Sequence, residues 1–292
     1  MKMDSEIGTL NEAITWMTAN KPHVKPLLDA FYPILSLKQQ VMAGNLFNET
    51  EPPFSLKITS FSDGIPLIQQ TPPKLNQDIF EELARLLMRA VAQGFSVTQK
   101  DMNALATQVM NGHMNASQLL AIHPQHTAPP HTDGCDEVPH LMRLFNDAIR
   151  MIVLNKWREQ LKERLSSIPW NKGYCPVCGS LPLLSISYGK GRPCLYCGTC
   201  GHKWQFPWAK CTACEHESPE EAEFFFVEDE RDEKAFVCRN CNRYLISLRL
   251  YEDSPPMNLD ILSIGLTHLD VIMQEKGMMP VAFSLWNNFL TR

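Results

Sequence analysis

No apolar run in this chain of 292 residues approaches the roughly 18 to 20 residues a membrane span needs. Behind Met-Lys-Met-Asp-Ser-Glu there is a periodic amphipathic segment and no unbroken apolar stretch, so a secretory signal is not expected. An excess of positive charge is missing as well. Lys and Arg number 27 against 32 Asp and Glu, and the net charge of −5 argues against a general nucleic-acid binder. The chain lacks a phosphate-binding glycine loop, an H-E-x-x-H helix and a paired nucleophile and base, so the common hydrolase and kinase chemistries find no footing. A composition 44% hydrophobic and 20% charged remains, which supports a sizeable core and more than one domain.

What the chain does have is cysteine. Nine of its 10 cysteines fall between Tyr174 and Leu245. They appear as Cys175-Pro-Val-Cys178-Gly179, Cys194-Leu-Tyr-Cys197-Gly-Thr-Cys200-Gly201, Cys211-Thr-Ala-Cys214 and Cys238-Arg-Asn-Cys241. A C-x-x-C turn brings two sulfurs to one side of a tight knuckle, and two facing knuckles make a tetrahedral S4 site that suits zinc or a single iron. Gly after Cys178 and after Cys200 accepts the positive φ that closes such a turn, and Pro176 presets its own φ. Paired C-x-x-C units without an export signal read as metal ligands in a reducing cytoplasm, not as disulfides. A dithiol catalyst would place one such motif at a helix start in a βαβ setting, which four pairs at ribbon spacing do not fit.

The chain up to about Leu165 reads as helical. Ile7, Leu10, Ile14 and Met17 share one helix face, which Pro22 ends. Leu27, Leu28, Phe31, Ile34 and Leu35 mark a second helix, with Pro33 as a kink or break. The Pro- and Ser-rich stretch from Gly44 to Pro73 reads as a connector. Ile79 to Val91 forms a clear amphipathic helix ending at Gly94, Thr98 caps the next, and Val138 to Leu165 is the longest. These faces predict a helical bundle with methionine as core filler.

Strands are expected over Leu181–Ser187 and Arg192–Tyr196, with Trp204 and Phe206 covering the first metal site. A second ribbon follows with Phe224–Val227, Ala235–Val237 and Tyr244–Tyr251, and a single amphipathic helix over Leu259–Glu275 stopped by Gly277. The fold class is therefore α+β and multidomain: a helical domain (1–168), two tandem rubredoxin-like, zinc-ribbon modules of four cysteines each (169–209 and 210–252), and a C-terminal helix and tail (253–292). Each ribbon holds too little apolar area to fold alone, so metal binding supplies folding energy.

Three features stand outside this plan. Cys194, three residues before Cys197, offers an overlapping pair; Gly201 and Trp204 favour Cys197 with Cys200 as ligands and leave Cys194 a strand thiol. His123, His126, His131, Cys135 and His140 lie in a proline-rich loop without a ligand spacing, and a solvent-facing loop is the simpler reading than a third metal site. From Asn171 to Cys214 the charges are all basic, whereas Glu215 to Glu233 holds ten acids and Arg231. A solvated hairpin tip accounts for that run, and docking of a basic client segment, such as an arginine-bearing export leader, is the sharper alternative.

The order of parts resembles the formate dehydrogenase accessory proteins of the FdhE type. The resemblance rests on Tyr174-Cys-Pro-Val-Cys-Gly-Ser180, Leu195-Tyr-Cys-Gly-Thr-Cys-Gly-His-Lys-Trp204, Cys211-Thr-Ala-Cys214 and Val237-Cys-Arg-Asn-Cys-Asn-Arg-Tyr-Leu245. Cys194 and the tail after Gly277 depart from it. The resemblance implies a non-enzymatic, cytoplasmic assembly factor. Its client would be the catalytic subunit of a respiratory formate dehydrogenase, which it helps to mature before export. It implies two metal ions, zinc or iron, one on Cys175, Cys178, Cys197 and Cys200, the other on Cys211, Cys214, Cys238 and Cys241. No nucleic acid and no membrane insertion are expected, and self-association is open. Two other classes remain as alternatives. One is an iron-containing rubredoxin-like redox protein; the other is a nucleic-acid-binding zinc ribbon, which the basic first module permits and the acidic second opposes.

Overall fold

A computed structural model describes residues 9–44, 58–110, 120, 137–165, 169–189, 191–207, 210–217, 222–228, 230–251, 254 and 258–287. The helical part begins with α1 (Leu10–Asn20), opened by a reciprocal capping box in which Thr9 and Glu12 each accept the other's backbone N–H. A short 3-10 turn at Pro22–Val24 leads into α2 (Lys25–Ala43). Pro33 lies inside α2 without ending it. The helix survives the lost backbone bond because Phe31, Ile34 and Leu35 on either side are buried.

The stretch read as a connector contains two short helices, α3 (Ile58–Ser62) and α4 (Leu67–Gln70). Then come α5 (Gln77–Gly94), capped by Asn76, and α6 (Gln99–Met110), whose Asp101 N–H is taken by Thr98 Oγ1 at 3.2 Å as its sequence predicts. The longest helix, α7 (Glu137–Gln160), stops one turn short of expectation and is followed by α8 (Lys162–Leu165). Helices α2, α5 and α7 pack on one another, burying Phe31, Leu83, Leu87, Phe145, Ile149 and Ile152 completely.

The ribbon strands are β1 (Leu184–Tyr188), β2 (Cys194–Tyr196) and β3 (Lys203–Gln205), then β4 (Ala222–Phe225), β5 (Glu233–Cys238) and β6 (Arg243–Leu250). Sequence reading treats these as two modules. The structure joins them into one seven-stranded sheet in the order β3-β2-β1-β6-β5-β4. The seam is a parallel pairing of β1 with β6, running from Leu184 opposite Ile246 to Tyr188 opposite Leu250. A short β7 (Met279–Pro280) lies parallel to the start of β6.

The C-terminal segment is two helices, α9 (Leu259–Gly265) and α10 (Thr267–Glu275), where one was expected. The break at Leu266 is held by Thr267 Oγ1, which donates to the Ile264 carbonyl at 2.8 Å. Gly277, at φ 77°, follows α10, as expected.

One apolar core runs through helices and sheet without interruption. Buried polar ties span the same boundary. Lys38 of α2 pairs with Asp260 of α9 at 2.7 Å, and Tyr196 of β2 donates to the other oxygen of Asp260 at 3.0 Å. Tyr244 of β6 donates to Asp270 of α10 at 2.7 Å. Among the described residues, no helix is long and apolar enough to cross a membrane.

Candidate metal centres

The four knuckles share one backbone design. In the first, Cys175 N–H bonds to the Ser180 carbonyl at 2.8 Å and Gly179 N–H to the Cys175 carbonyl at 2.9 Å. Cys197 with His202 and Gly201, and Cys211 with His216 and Glu215, repeat the pattern; in the fourth, Asn242 N–H bonds to the Cys238 carbonyl at 2.9 Å. In each, the residue after the second cysteine is left-handed: Gly179 at φ 76°, Gly201 at 70°, Glu215 at 56° and Asn242 at 55°. The sequence shows the turn only where glycine marks it. Glu215 and Asn242 make it too, at a steric cost that Asn carries more easily than Glu.

The knuckles face each other in pairs. Cys175, Cys178, Cys197 and Cys200 lie with all sulfurs within 4.8 Å of one another, as do Cys211, Cys214, Cys238 and Cys241. In the first set the cross-knuckle Sγ···Sγ distances are 3.5 Å for Cys175–Cys200 and 3.5 Å for Cys178–Cys197. In the second they are 3.7 Å for Cys211–Cys241 and 3.8 Å for Cys214–Cys238. Four sulfurs placed tetrahedrally about 2.3 Å from a zinc ion stand about 3.8 Å apart, so both sets have the size and the donor chemistry of a metal site. Backbone N–H groups already point at sulfur, Val177 to Cys175 and Ala213 to Cys211, both at 3.4 Å. Either set could therefore bind a metal ion.

Their surroundings differ. The first set is sealed inside the continuous core, with each cysteine at most 1% exposed. Burial pushes the Cys175 and Cys200 thiols well up. Cys178, under the same burial, is carried well down by the thiols of Cys175, Cys197 and Cys200 and by the Ser180 hydroxyl. A full set of thiolates in so dry a place calls for a cation. The helical region braces it. Leu67 and Ile68, at the start of α4, donate to the Pro176 and Val177 carbonyls at 2.8 and 2.9 Å. From α7, Asn155 donates to the Thr199 carbonyl at 3.1 Å and Arg158 to the Cys200 carbonyl at 3.2 Å. Arg150, also on α7 and only 5% exposed, has its charge opposed by burial and favoured by Cys178, Asp147 and Cys197. It would thus oppose negative charge on an S4 centre formed there. Sequence reading missed these braces, although Arg150 beside the apolar Ile149 and Ile152 is a signal it could have used.

The second set lies at the margin of that core: Cys211 and Cys238 are buried, Cys214 is exposed and Cys241 half-exposed. Cys214 is brought to about 7: burial opposes this, and the Asn240 side chain and the His216 amide bring it about. The Asn240 amide reaches Cys214 Sγ at 3.5 Å. The two centres touch through Gly173. A Cβ there would meet the Thr212 carbonyl at 2.1 Å, and its N–H donates to Glu215 at 3.3 Å.

Cys194 joins neither set. It sits on β2 opposite Ile186, 4% exposed, and burial pushes its thiol up to about 11. Trp204 is buried and donates from its indole to the Lys172 carbonyl at 3.2 Å. His123, His126, His131 and Cys135 lie outside the described residues, and His140 is exposed on α7.

No family model matches the chain. A Protein FdhE homolog of Aquifex aeolicus (strain VF5) is 29% identical over 116 residues, which is 38% of this chain and 41% of that protein. A Protein FdhE homolog of Haemophilus influenzae (strain PittEE) is 35% identical over 114 residues, covering 37% and 36%. Protein FdhE of Escherichia coli (strain K12 / DH10B) is 31% identical over 108 residues, covering 36% and 34%. The crystal structure of the FdhE protein from Pseudomonas aeruginosa covers 94% of this chain and 93% of its own with a TM-score of 0.61. The chain is FdhE-like. At 17% identity the structural match speaks for the fold alone, and the sequence matches span about two-fifths or less of each curated FdhE relative. The FdhE-like fold thus extends well beyond the stretch in which residues can be matched.

Proposed function

We propose that this chain is a non-enzymatic accessory protein of the cytoplasm that binds the catalytic subunit of a respiratory formate dehydrogenase and assists its maturation before export. The observation that carries the proposal is the FdhE-like order of parts, with a helical region braced against two four-cysteine clusters on one sheet. Cys175, Cys178, Cys197 and Cys200 would hold one ion, zinc or iron, and Cys211, Cys214, Cys238 and Cys241 the other. The ions would supply cross-links that a small sheet cannot obtain from apolar burial. The chain's own part is to aim eight sulfurs, exclude water from the first set, and present a rigid surface to a client.

The test is capture of the tagged protein from its own anaerobically grown host, with metal analysis on the same eluate. Recovery of a formate dehydrogenase catalytic subunit is the expected result. Its absence, in cells shown to make it, would overturn the client assignment. A redox reading draws support from the N–H···S contacts at Cys175 and Cys211, which favour a thiolate around iron as around zinc. It requires a reversible Fe(III)/Fe(II) colour change in native protein, and a colourless zinc form with full function would end it.

A further inference from the structure

Apart from the cysteine clusters, one group of side chains among the described residues has the donors and spacing of a metal site. It is Glu230, Glu233 and His268, whose ligand atoms all lie within 4.8 Å of one another. A short turn sets up the two acids. Glu230 N–H bonds to the Val227 carbonyl and Glu233 N–H to the Glu230 carbonyl, both at 3.0 Å, so the chain entering β5 carries its carboxylates close together. His268, in the first turn of α10, comes to them from the C-terminal helices. Its Nε2 lies 3.3 Å from Glu230 Oε2 and 3.7 Å from Glu233 Oε2. Oxygen and nitrogen donors about 2.0–2.2 Å from one ion stand about 3.0–3.5 Å apart, so these gaps have the right size.

The group already attracts a cation. Lys21, which caps the end of α1, pairs with Glu233, and its Nζ is 3.9 Å from Glu230. One ammonium thus serves two carboxylates and leaves the imidazole aside. Although buried, His268 Nε2 makes no aligned hydrogen bond among the described residues. Burial, and after it Lys21, hold this imidazole below its usual pKa against the pull of Glu230, so it meets the carboxylates as a neutral ring. A buried ring nitrogen in that state is costly, and an ion shared with the carboxylates would satisfy it. We propose that Glu230, Glu233 and His268 form a further metal site, which takes one divalent first-row ion, such as Zn2+ or Mn2+, in exchange for the Lys21 ammonium. Lys21 keeps its proton and turns to solvent, and the ion enters past Glu230, whose side chain is 43% exposed. Carboxylate and imidazole suit such ions, and water would complete the coordination. Bound there, the ion would fasten the turn before β5 to α10 and release the end of α1 from both. The site shares no ligand with either cysteine cluster and does not depend on the client proposed above.

Manganese titration of the full chain, with its cysteine clusters loaded with zinc, tests the proposal through the electron paramagnetic resonance signal of free Mn2+. Manganese prefers oxygen and nitrogen donors and is the weakest competitor in the first-row series, so it leaves zinc on thiolates in place. One saturable Mn2+ per chain is expected, with the zinc content unchanged. Glu233→Gln and His268→Ala should each weaken binding at least about tenfold. Lys21→Met removes the competing ammonium and should strengthen binding several-fold, an effect that a merely structural ion pair would not produce. Equilibrium dialysis against zinc should likewise load one equivalent beyond the cysteine clusters, and His268→Ala should lose it while keeping the rest. Absence of both the Mn2+ and the additional zinc from the unaltered chain would overturn the proposal. So would undiminished binding by His268→Ala, which would assign the ion to exposed acids alone, or weaker binding by a folded Lys21→Met.

Discussion

The two cysteine clusters have the same knuckles and opposite settings. The first lies within the apolar core, with α4 and α7 bonded to its backbone and Arg150 at its flank. The second is only half enclosed, with Cys211 and Cys238 buried and Cys214 in solvent. One ligand set can therefore serve as the keystone of a fold or as a local clasp, and the difference lies in what the surrounding helices contribute. Removing each cluster separately gives the largest expected contrast. Structural zinc in small modules is worth about 10–16 kcal/mol, comparable to the whole stability of an ordinary domain. Cys175→Ser should therefore collapse the cooperative melt of the entire chain by circular dichroism. Cys238→Ser should lose one metal equivalent and hydrogen-exchange protection in the knuckles at 211–216 and 238–243, while the helical region still melts cooperatively. Metal release to a chelator should be biphasic in the unaltered protein, with the fast phase absent from Cys238→Ser. Equal collapse in both variants would remove the distinction.

Next in size are the braces of the first cluster. Arg150→Met takes away a buried cation, and Asn155→Ala leaves the Thr199 carbonyl without its side-chain donor. Each should cost about 1–3 kcal/mol, read from denaturant melts. Arg150→Met should also speed metal loss from the first cluster and leave the second unchanged. If chelator kinetics at both clusters stay the same, Arg150 has no electrostatic part in the centre.

Much of this was legible from spacing. The C-x-x-C pairs, their assignment into two sets and the strands between them follow from local rules, because a knuckle is built within a few residues. The long helices α5 and α7 were legible for the same reason. The parallel seam of β1 and β6 was not, since it pairs segments about sixty residues apart and nothing within either strand marks a parallel partner that distant. Helix α4 hid in a proline-rich stretch because four residues carry no periodicity, yet its first amides clamp the Pro176–Val177 knuckle. The Lys38–Asp260–Tyr196 tie was equally hidden: nothing local tells a buried charge from a solvated one.

A pH effect distinguishes the C-terminal helices from both clusters. Burial raises Asp270 to about 6, against the lowering effect of Tyr244 and Asn287, so the folded state binds a proton more tightly than the unfolded chain. Its contribution to stability is present below the ordinary carboxylate pKa and lost as pH rises through about 6, roughly 3 kcal/mol in order of magnitude. Asp270→Asn keeps an acceptor for the Tyr244 hydroxyl and should flatten that loss, leaving the variant the more stable at pH 7. Parallel stability profiles for variant and parent between pH 4 and 7 would contradict this.

The smallest effect isolates the knuckle turn itself. Asn242 and Gly201 occupy the same left-handed position at φ 55° and 70°, but the packing around them differs. A Cβ at Gly201 would lie 2.4 Å from Asn155 Oδ1, so Gly201→Asn must displace the brace on α7 as well as take up positive φ. At Asn242 the side chain reaches out to the Gly277 carbonyl at 3.2 Å. Asn242→Gly trades that exposed bond for an easier backbone and should stay within about 0.5 kcal/mol of neutral, whereas Gly201→Asn should cost about 2 kcal/mol or more. Equal costs at the two positions would mean that the turn alone sets the penalty, and that the core around the first cluster adds nothing to it.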